Sequence, residues 1–338
     1  MKTFNFIICL SLLVLLFSSC DNVLTEKMVF DAQVVPTTID SIKKDTIFVK
    51  KGIPITFNFS GNAQFISYFS GEPGKEYFYY NTTIIPASQY DSCFLKFDVT
   101  PSVTTGTIDS KYVANTLSLT VSDNFPGLLG ISSAPAFSND SANIRNTKDY
   151  NWTDLTAQCD FPITIGTKKS VKLNAMSLLS KNICLKFGYK TTLNDTVQPK
   201  WTIANLKFVK YQKSKAAVEV LAASLGFKQI DLLNSISAYS ISGAGVWSKS
   251  NPVSMFISSS MSRSGLNEDY LISTPILLNP LPTDLIPTGA LVKNITVDVK
   301  SYTYSYSNIG VYYATFSATN ANYMDTQHTQ ANFIIKVK

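Results

Sequence analysis

The chain has 338 residues, of which 15% are charged and 12% aromatic, with a formal charge of +6. Its cations are almost all lysine, Arg145 and Arg263 being the two arginines, and they are spread without a run. A nucleic-acid surface clusters its cations and uses arginine on phosphate and base edges, so no nucleic-acid partner is expected. The 17 Tyr and 21 Phe, with abundant Ser and Thr, favour strands over helices, and the length suits two domains.

The N-terminus reads as an address. Met1-Lys2 is a short positive start, and Phe6 to Phe17 is almost wholly apolar. A core of about a dozen residues is short for a bilayer span and suits a secretory signal. It ends Leu16-Phe17-Ser18-Ser19-Cys20. Small residues before a cysteine resemble the lipobox of bacterial lipoproteins, with Phe17 looser than the usual aliphatic residue. On that resemblance residues 1–19 are a signal peptide, Cys20 is the lipid-bearing N-terminus, and residues 20–26 are a tether. The expectation is a lipid-anchored, otherwise water-soluble protein of the outer membrane. The cell surface is the expected face; Asp21 and Glu26 make a weakly acidic tether, which leaves the periplasmic face open. The alternative is an ordinary signal peptide with a chance cysteine. Cys93, Cys159 and Cys184 have strand-like apolar flanks and read as small core residues, with a Cys159–Cys184 disulfide as the alternative.

Downstream, Thr46–Val49, Ile53–Phe59 and Phe65–Phe69 read as strands, the second alternating Ile53, Ile55, Phe57 and Phe59 on one face. A Gly/Pro-rich corner follows at Ser70–Tyr77. Three or four strands do not close a sandwich, so partners are expected much later in the chain. Residues 81–294 read as further β-structure, with strands at Cys93–Val99, Thr116–Val121, Phe161–Ile165, Val171–Ala175, Ile183–Tyr189, Trp201–Val209, Val253–Ile257 and Leu271–Leu278. A Ser/Asn/Asp-rich loop runs from Asn124 to about Tyr150. Ser214–Leu225 is the one good helix candidate, stopped by Gly226. Short strands at such spacing suggest a sandwich or jelly roll.

Near the end, Tyr302, Tyr304 and Tyr306 share one face, and Tyr312, Ala314, Phe316 and Ala318 alternate beyond Gly310. The pattern predicts a hairpin with Gly310 in the turn, followed by a strand at Asn332–Val337. Tyr306, Gly310, Tyr312 and Asn320 resemble the closing strands of the polycystic-kidney-disease (PKD) repeat, an immunoglobulin-like sandwich. With Phe57–Tyr77 and Asp269–Ile276, they make the chain similar to a Bacteroidota lipoprotein family known as domain of unknown function 5017. That resemblance implies a cell-envelope setting beside glycan-import machinery and carries no activity. The fold expected is all-β: a PKD/immunoglobulin-like sandwich of residues 27–80 plus 295–338, split by an inserted galactose-binding-like jelly roll at 81–294.

The lone histidine, His328, lies in the polar stretch Asp325–Gln330 and reads as an exposed turn residue; it cannot form a zinc pair, and a Ser-His-Asp triad would rest on this loop. Ser242–Trp247 lacks the spacing of a phosphate loop. Aromatic residues beside polar turns are the better lead, since sugars stack C–H faces on rings while amides and carboxylates bond their hydroxyls. The candidates are Trp247, Trp152, Tyr150, Tyr79 and Tyr270; the alternative is that each packs in a core or strand edge. Trp201 reads as core. No cofactor is expected; a structural calcium ion is allowed by analogy with jelly-roll modules, although no Asp-x-Asp cluster marks it. The leading function is non-catalytic glycan binding in support of polysaccharide uptake. Alternatives are a structural or adhesive surface protein, and a glycosidase or lyase whose carboxylate pair is invisible in sequence.

Overall fold

A computed structural model describes residues 26–130, 136–146, 148–191, 197–213, 215–233, 247–257 and 266–338. The signal peptide, Cys20 and most of the tether lie outside the described residues, as does the loop that precedes Trp247. The chain is nearly all β, with sandwich-like sheets and no barrel. It forms two compact units: unit 1 runs to Thr83 and resumes at Leu281–Lys338, and unit 2 is Ile84–Pro280.

Unit 1 has two sheets. One is three-stranded, in the order β1 (Phe30–Val34), β4 (Ile55–Gly61), β19 (Ser301–Tyr304). The other has six strands: β18 (Ala290–Lys293), β5 (Phe65–Phe69), β20 (Gly310–Ala321), β21 (Thr326–Val337), β3 (Thr46–Val49) and β2 (Ser41–Lys43). All neighbours are antiparallel except β21 and β3. Aromatic rings fill the space between the sheets, Phe57 of β4 meeting Phe316 of β20 at 5.0 Å between centroids.

The expected hairpin at Tyr302–Asn320 does not form. β19 pairs with β4, whereas β20 pairs with β5 and β21. The connection therefore crosses from one sheet to the other, and the two aromatic faces pack across the core instead of side by side. Tyr306 stacks on Tyr312 at 4.6 Å, and its hydroxyl meets Tyr68 Oη at 2.8 Å and donates to the Ser70 carbonyl at 2.9 Å. Gly310 makes no turn. A Cβ there would lie 3.0 Å from the Tyr312 ring, so glycine leaves room for that ring where a larger residue would crowd it. Asn320 accepts from Gln64 N at 2.6 Å and donates to Asn62 O, which ties the end of β20 to the β4–β5 turn. His328 sits within β21, exposed, bonded through Nε2 to Ser317 Oγ at 2.9 Å, so it is a strand residue and not a turn residue.

Unit 2 also has two sheets, each of six strands. The first follows β14 (Trp247–Ser248), β15 (Ser254–Ile257), β11 (Lys200–Gln212), β6 (Tyr90–Ser102) and β9 (Lys169–Asn174), with β12 (Val218–Leu221) added to β11. The second follows β13 (Lys228–Leu233), β16 (Glu268–Ile272), β10 (Asn182–Lys190), β7 (Leu117–Ser122) and β8 (Thr153–Asp154), with β17 (Ile276–Leu277) added to β10. The chain passes back and forth between the sheets, as in a double-sheet jelly roll. Phe97 of β6 meets Phe187 of β10 edge-on at 5.6 Å, so the sheets pack face to face.

Two elements depart from expectation. The Ala-rich stretch at 215–225 is no α-helix: Val218–Leu221 pairs with β11, and tertiary pairing overrides local helix propensity. Conversely, the polar loop before Tyr150 contains the helix α1 (Ala136–Arg145), whose Ile144 is buried. Phe161–Ile165 is irregular, and a short helix α2 (Thr156–Cys159) precedes it. Cys93, Cys159 and Cys184 are buried free thiols. Burial pushes their pKa values up, to about 11 for Cys93 and about 12 for Cys159 and Cys184. They are inert small core residues, and no Cys159–Cys184 bridge exists.

Tyr306→Phe should destabilise unit 1 by about 1–3 kcal/mol, because it strips a hydroxyl that serves Tyr68 and Ser70 at once. Urea unfolding beside Tyr323→Phe, a control at a 77% exposed ring, measures this.

Candidate functional site

Strand alternation divides the β13–β16–β10–β7–β8 sheet into two faces. Leu185, Phe187, Tyr189 and Leu271 point inward. Cys184, Lys186, Tyr270 and Ile272 point outward, where Phe125, Leu128, Phe137, Ile144, Tyr150 and Trp152 pack with them in one cluster. Gly188 makes room for this arrangement, since a Cβ would lie 3.0 Å from the Tyr270 ring.

Three of the five candidate aromatics meet on this outer face. Phe125 is the centre, with Tyr150 edge-on at 5.2 Å and Trp152 tilted at 5.0 Å. Lys186 Nζ lies 3.7 Å from the Trp152 ring centroid and 5.6 Å from that of Tyr270, and donates to Ile144 O at 3.3 Å. A lysine held between two rings gains cation–π attraction in place of water. Burial, then repulsion from Lys190, lowers its pKa to about 8. Beside it Glu268 accepts from Arg145 Nη2 at 2.5 Å and Tyr270 Oη at 2.8 Å, and pairs with Lys190 at 3.0 Å. Burial raises the Glu268 pKa, but bonds from Arg145, Tyr270 and Lys190 outweigh it and hold the carboxyl at about 2. Lys186, Glu268 and Arg145 were not singled out from sequence; Lys186 and Glu268 are charged residues inside apolar strands, and that is the one signal that marks those two.

The loop carrying Tyr150 and Trp152 is fixed by asparagines. Asn124 accepts from Asn151 N at 2.8 Å and donates to Asp149 O at 2.7 Å, while Asn146 donates to Asp149 Oδ2 at 2.7 Å. Asn151, between the two aromatics, lines a groove of about 170 Å³ together with Asp123, Asn174, Ser177 and Lys181. Lys181 and Asp123 form an ion pair of 2.8 Å at its wall. Tyr150 and Trp152 are half-buried, with the Trp152 ring nitrogen inside.

The remaining candidates are placed otherwise. Trp247 is 1% exposed and packs toward Phe187 in the sandwich interior. It cannot stack on a sugar: its small neighbours accompany a core residue, and the expectation that it binds is corrected. Tyr270 is 6% exposed with its hydroxyl spent on Glu268, so it supports the site from beneath and offers no ring face. Tyr79 belongs to unit 1, half-buried against Phe78 at 5.1 Å. Trp201 is core, as expected, donating to Thr116 Oγ1 at 2.9 Å. Among the described residues no group of three or more His, Cys, Asp and Glu could hold a metal ion.

Fold and site together define a two-unit β-sandwich protein with an aromatic, lysine-bearing face on one sheet of its second unit. The chain belongs to the domain of unknown function 5017 (DUF5017) family, whose profile matches residues 19–227. No curated protein and no solved structure matches it.

Trp247→Ala should destabilise unit 2 by about 3–5 kcal/mol, the cost of a large core cavity, visible as a lower Tm. Lys186→Met should be more stable than the parent at pH 7. The folded pKa near 8 lies below the ordinary lysine value of 10.5, so the parent carries the full cost of a buried cation below pH 8 and recovers stability as pH rises above it. The advantage of the variant therefore shrinks between pH 8 and 10, measured by chemical denaturation across that range.

Proposed function

We propose that this protein is a Bacteroidota-type envelope lipoprotein, anchored in the outer membrane through Cys20, that binds glycans without cleaving them in support of polysaccharide uptake. One observation carries the reading. Half-exposed Tyr150 and Trp152 flank Asn151, which opens onto a groove holding Asp123, Asn174, Ser177 and Lys181. Sugar recognition pairs an apolar ring surface with amide, carboxylate, hydroxyl and ammonium groups that bond hydroxyls; the groove supplies the polar groups, and the two rings belong to the residues on either side of its Asn151. The asparagine brace behind the loop supports a preformed site that loses little entropy on binding. In unit 1, the roles of Tyr306, Gly310, Tyr312 and Asn320 support a PKD-like sandwich, which follows the tether directly in sequence. The outer sheet face of β20 favours a second reading, a structural or adhesive surface protein, because Val311 and Tyr313 are 52% and 68% exposed there. A glycosidase or lyase needs a carboxylate pair open to substrate. Asp231 and Asp269 face each other on neighbouring strands but are 4% and 1% exposed, and they lend that reading no support.

The test is a glycan array followed by calorimetric titration of residues 21–338. Saturable binding should weaken about tenfold or more in Tyr150→Ala and in Asn151→Ala, the loss of one well-placed contact each. Trp247→Ala would report folding, not recognition. Absence of binding to any plant, host or microbial glycan would leave the adhesive reading standing. Separately, palmitate labelling in an envelope-bearing host should be lost in Cys20→Ala.

A further inference from the structure

We infer that unit 2 holds a divalent cation of the calcium type between β13 and β16, bound by the side chains of Asp231, Asp269 and Asn267. The placement follows from register. Asp231 and Asp269 are direct cross-strand partners on the inward face of their sheet, 4% and 1% exposed. Side chains so opposed have Cβ atoms about 4.5–5.5 Å apart, so the two carboxyl groups share one small space. Asn267 is 2% exposed and precedes Asp269 by two residues, which puts it on the same side of the strand.

Three acceptor atoms of the cluster meet no donor among the described residues. Both carboxylate oxygens of Asp269 and the amide oxygen of Asn267 are buried without a hydrogen-bond partner. Asn267 Nδ2 is already spent on Gln198 Oε1 at 2.7 Å, which fixes the amide. Asp231 Oδ1 accepts from Leu233 N at 3.0 Å. Tyr189, the neighbour of Asp269 on β10, directs its hydroxyl to Pro199 O at 2.7 Å. No lysine or arginine among the described residues pairs with either aspartate; Lys190 and Arg145 serve Glu268, whose side chain points to the opposite face.

Two like charges buried together require a compensating positive charge. Burial, then the neighbouring carboxylate, drives the Asp269 pKa well above the carboxylate range, so a shared proton is the rival solution. One proton makes one hydrogen bond. It leaves an Asp269 oxygen and the Asn267 oxygen still unpartnered, each having given up its hydration for nothing. A cation satisfies all of them at once. The donor set is oxygen only, without thiolate or imidazole, which selects a hard ion over zinc. Two carboxylates and one amide supply up to five oxygens toward the six to eight that calcium takes, with flexible geometry; magnesium demands a stricter octahedron.

The experiment uses residues 21–338, stripped with chelator and titrated with calcium chloride at pH 7.5. Saturating calcium should raise the Tm by about 5 °C, and terbium added instead should give aromatic-sensitised emission that calcium displaces. Both responses should vanish in Asp269→Asn and in Asp231→Asn. These variants keep the shape and gain an amide donor for the remaining carboxylate, so both should fold at least as stably as the stripped parent. A parent that ignores calcium and terbium overturns the site, and greater stability of that parent at pH 5 than at pH 7.5 would assign the pair to a shared proton. Responses that persist in both variants overturn it equally.

Discussion

Unit 1 depends on a contact between two tyrosine hydroxyls. Tyr68 and Tyr306 are separated by 238 positions, yet their oxygens meet at 2.8 Å in a dry core. Burial raises the pKa of both far above the ordinary phenol range. Both phenols therefore stay neutral, and each must find a partner or lose the hydration it gave up. Ser70 O supplies the last acceptor. Around this polar knot, Tyr302 and Tyr304 each lie 5.1 Å from the Tyr68 ring, and Phe316 lies 4.6 Å from it. Strands from both ends of the chain thus converge on one ring, and the two sheets are held in register by a group that only one arrangement satisfies.

Unit 2 reaches specificity by another route. Strand β16 is buried along its whole length, and its side chains alternate between two polar environments of opposite character. Outward, Glu268 is surrounded by cations and stays ionised. Inward, Asp269 faces a second carboxyl and meets no donor among the described residues. A one-residue slip would exchange these environments, bringing Glu268 in beside Asp231 without its cations and leaving Arg145 and Lys190 to face the shorter Asp269. Register in this sheet is therefore fixed by charge as well as by the hydrophobic pattern.

Much of this was legible in the sequence, and the failures have distinct causes. Period-two alternation located β3 to β7, β10, β11 and β15 because each buries at least one face. The same alternation around Gly310 could not say whether two strands lie side by side or face each other across a core, since both bury the same residues. Helix α1 was hidden by its composition: a few apolar residues in a polar run suffice when the helix covers a patch instead of entering a core. Trp152 and Tyr150 were singled out by their polar flanks. Trp247 was misjudged by the same rule, because small flexible neighbours carry no information about burial. Lys186 and Glu268 owe their character to partners far along the chain, Arg145 being 123 positions from Glu268, and no local pattern encodes that.

The closing of unit 2 on itself has a kinetic corollary. Its two ends are pinned together: Ile84 bridges Pro280, Ile85 N donates to Asn279 O at 3.0 Å, and the Asn279 side chain binds Ile85 O at 2.5 Å and Ser180 N at 2.7 Å. Loop-closure entropy grows with the number of free residues between contacts. For a wholly unfolded chain, bringing Tyr68 to Tyr306 means closing a loop of more than two hundred residues. Once unit 2 has folded, the same closure spans only the stretches from Tyr68 to Thr83 and from Leu281 to Tyr306, about forty residues, with the Thr83 and Leu281 backbones bonded at 2.9 Å. The contiguous unit thereby acts as a clamp for the discontinuous one, and the favoured order of folding is unit 2 first, with β18 to β21 then docking onto waiting strands.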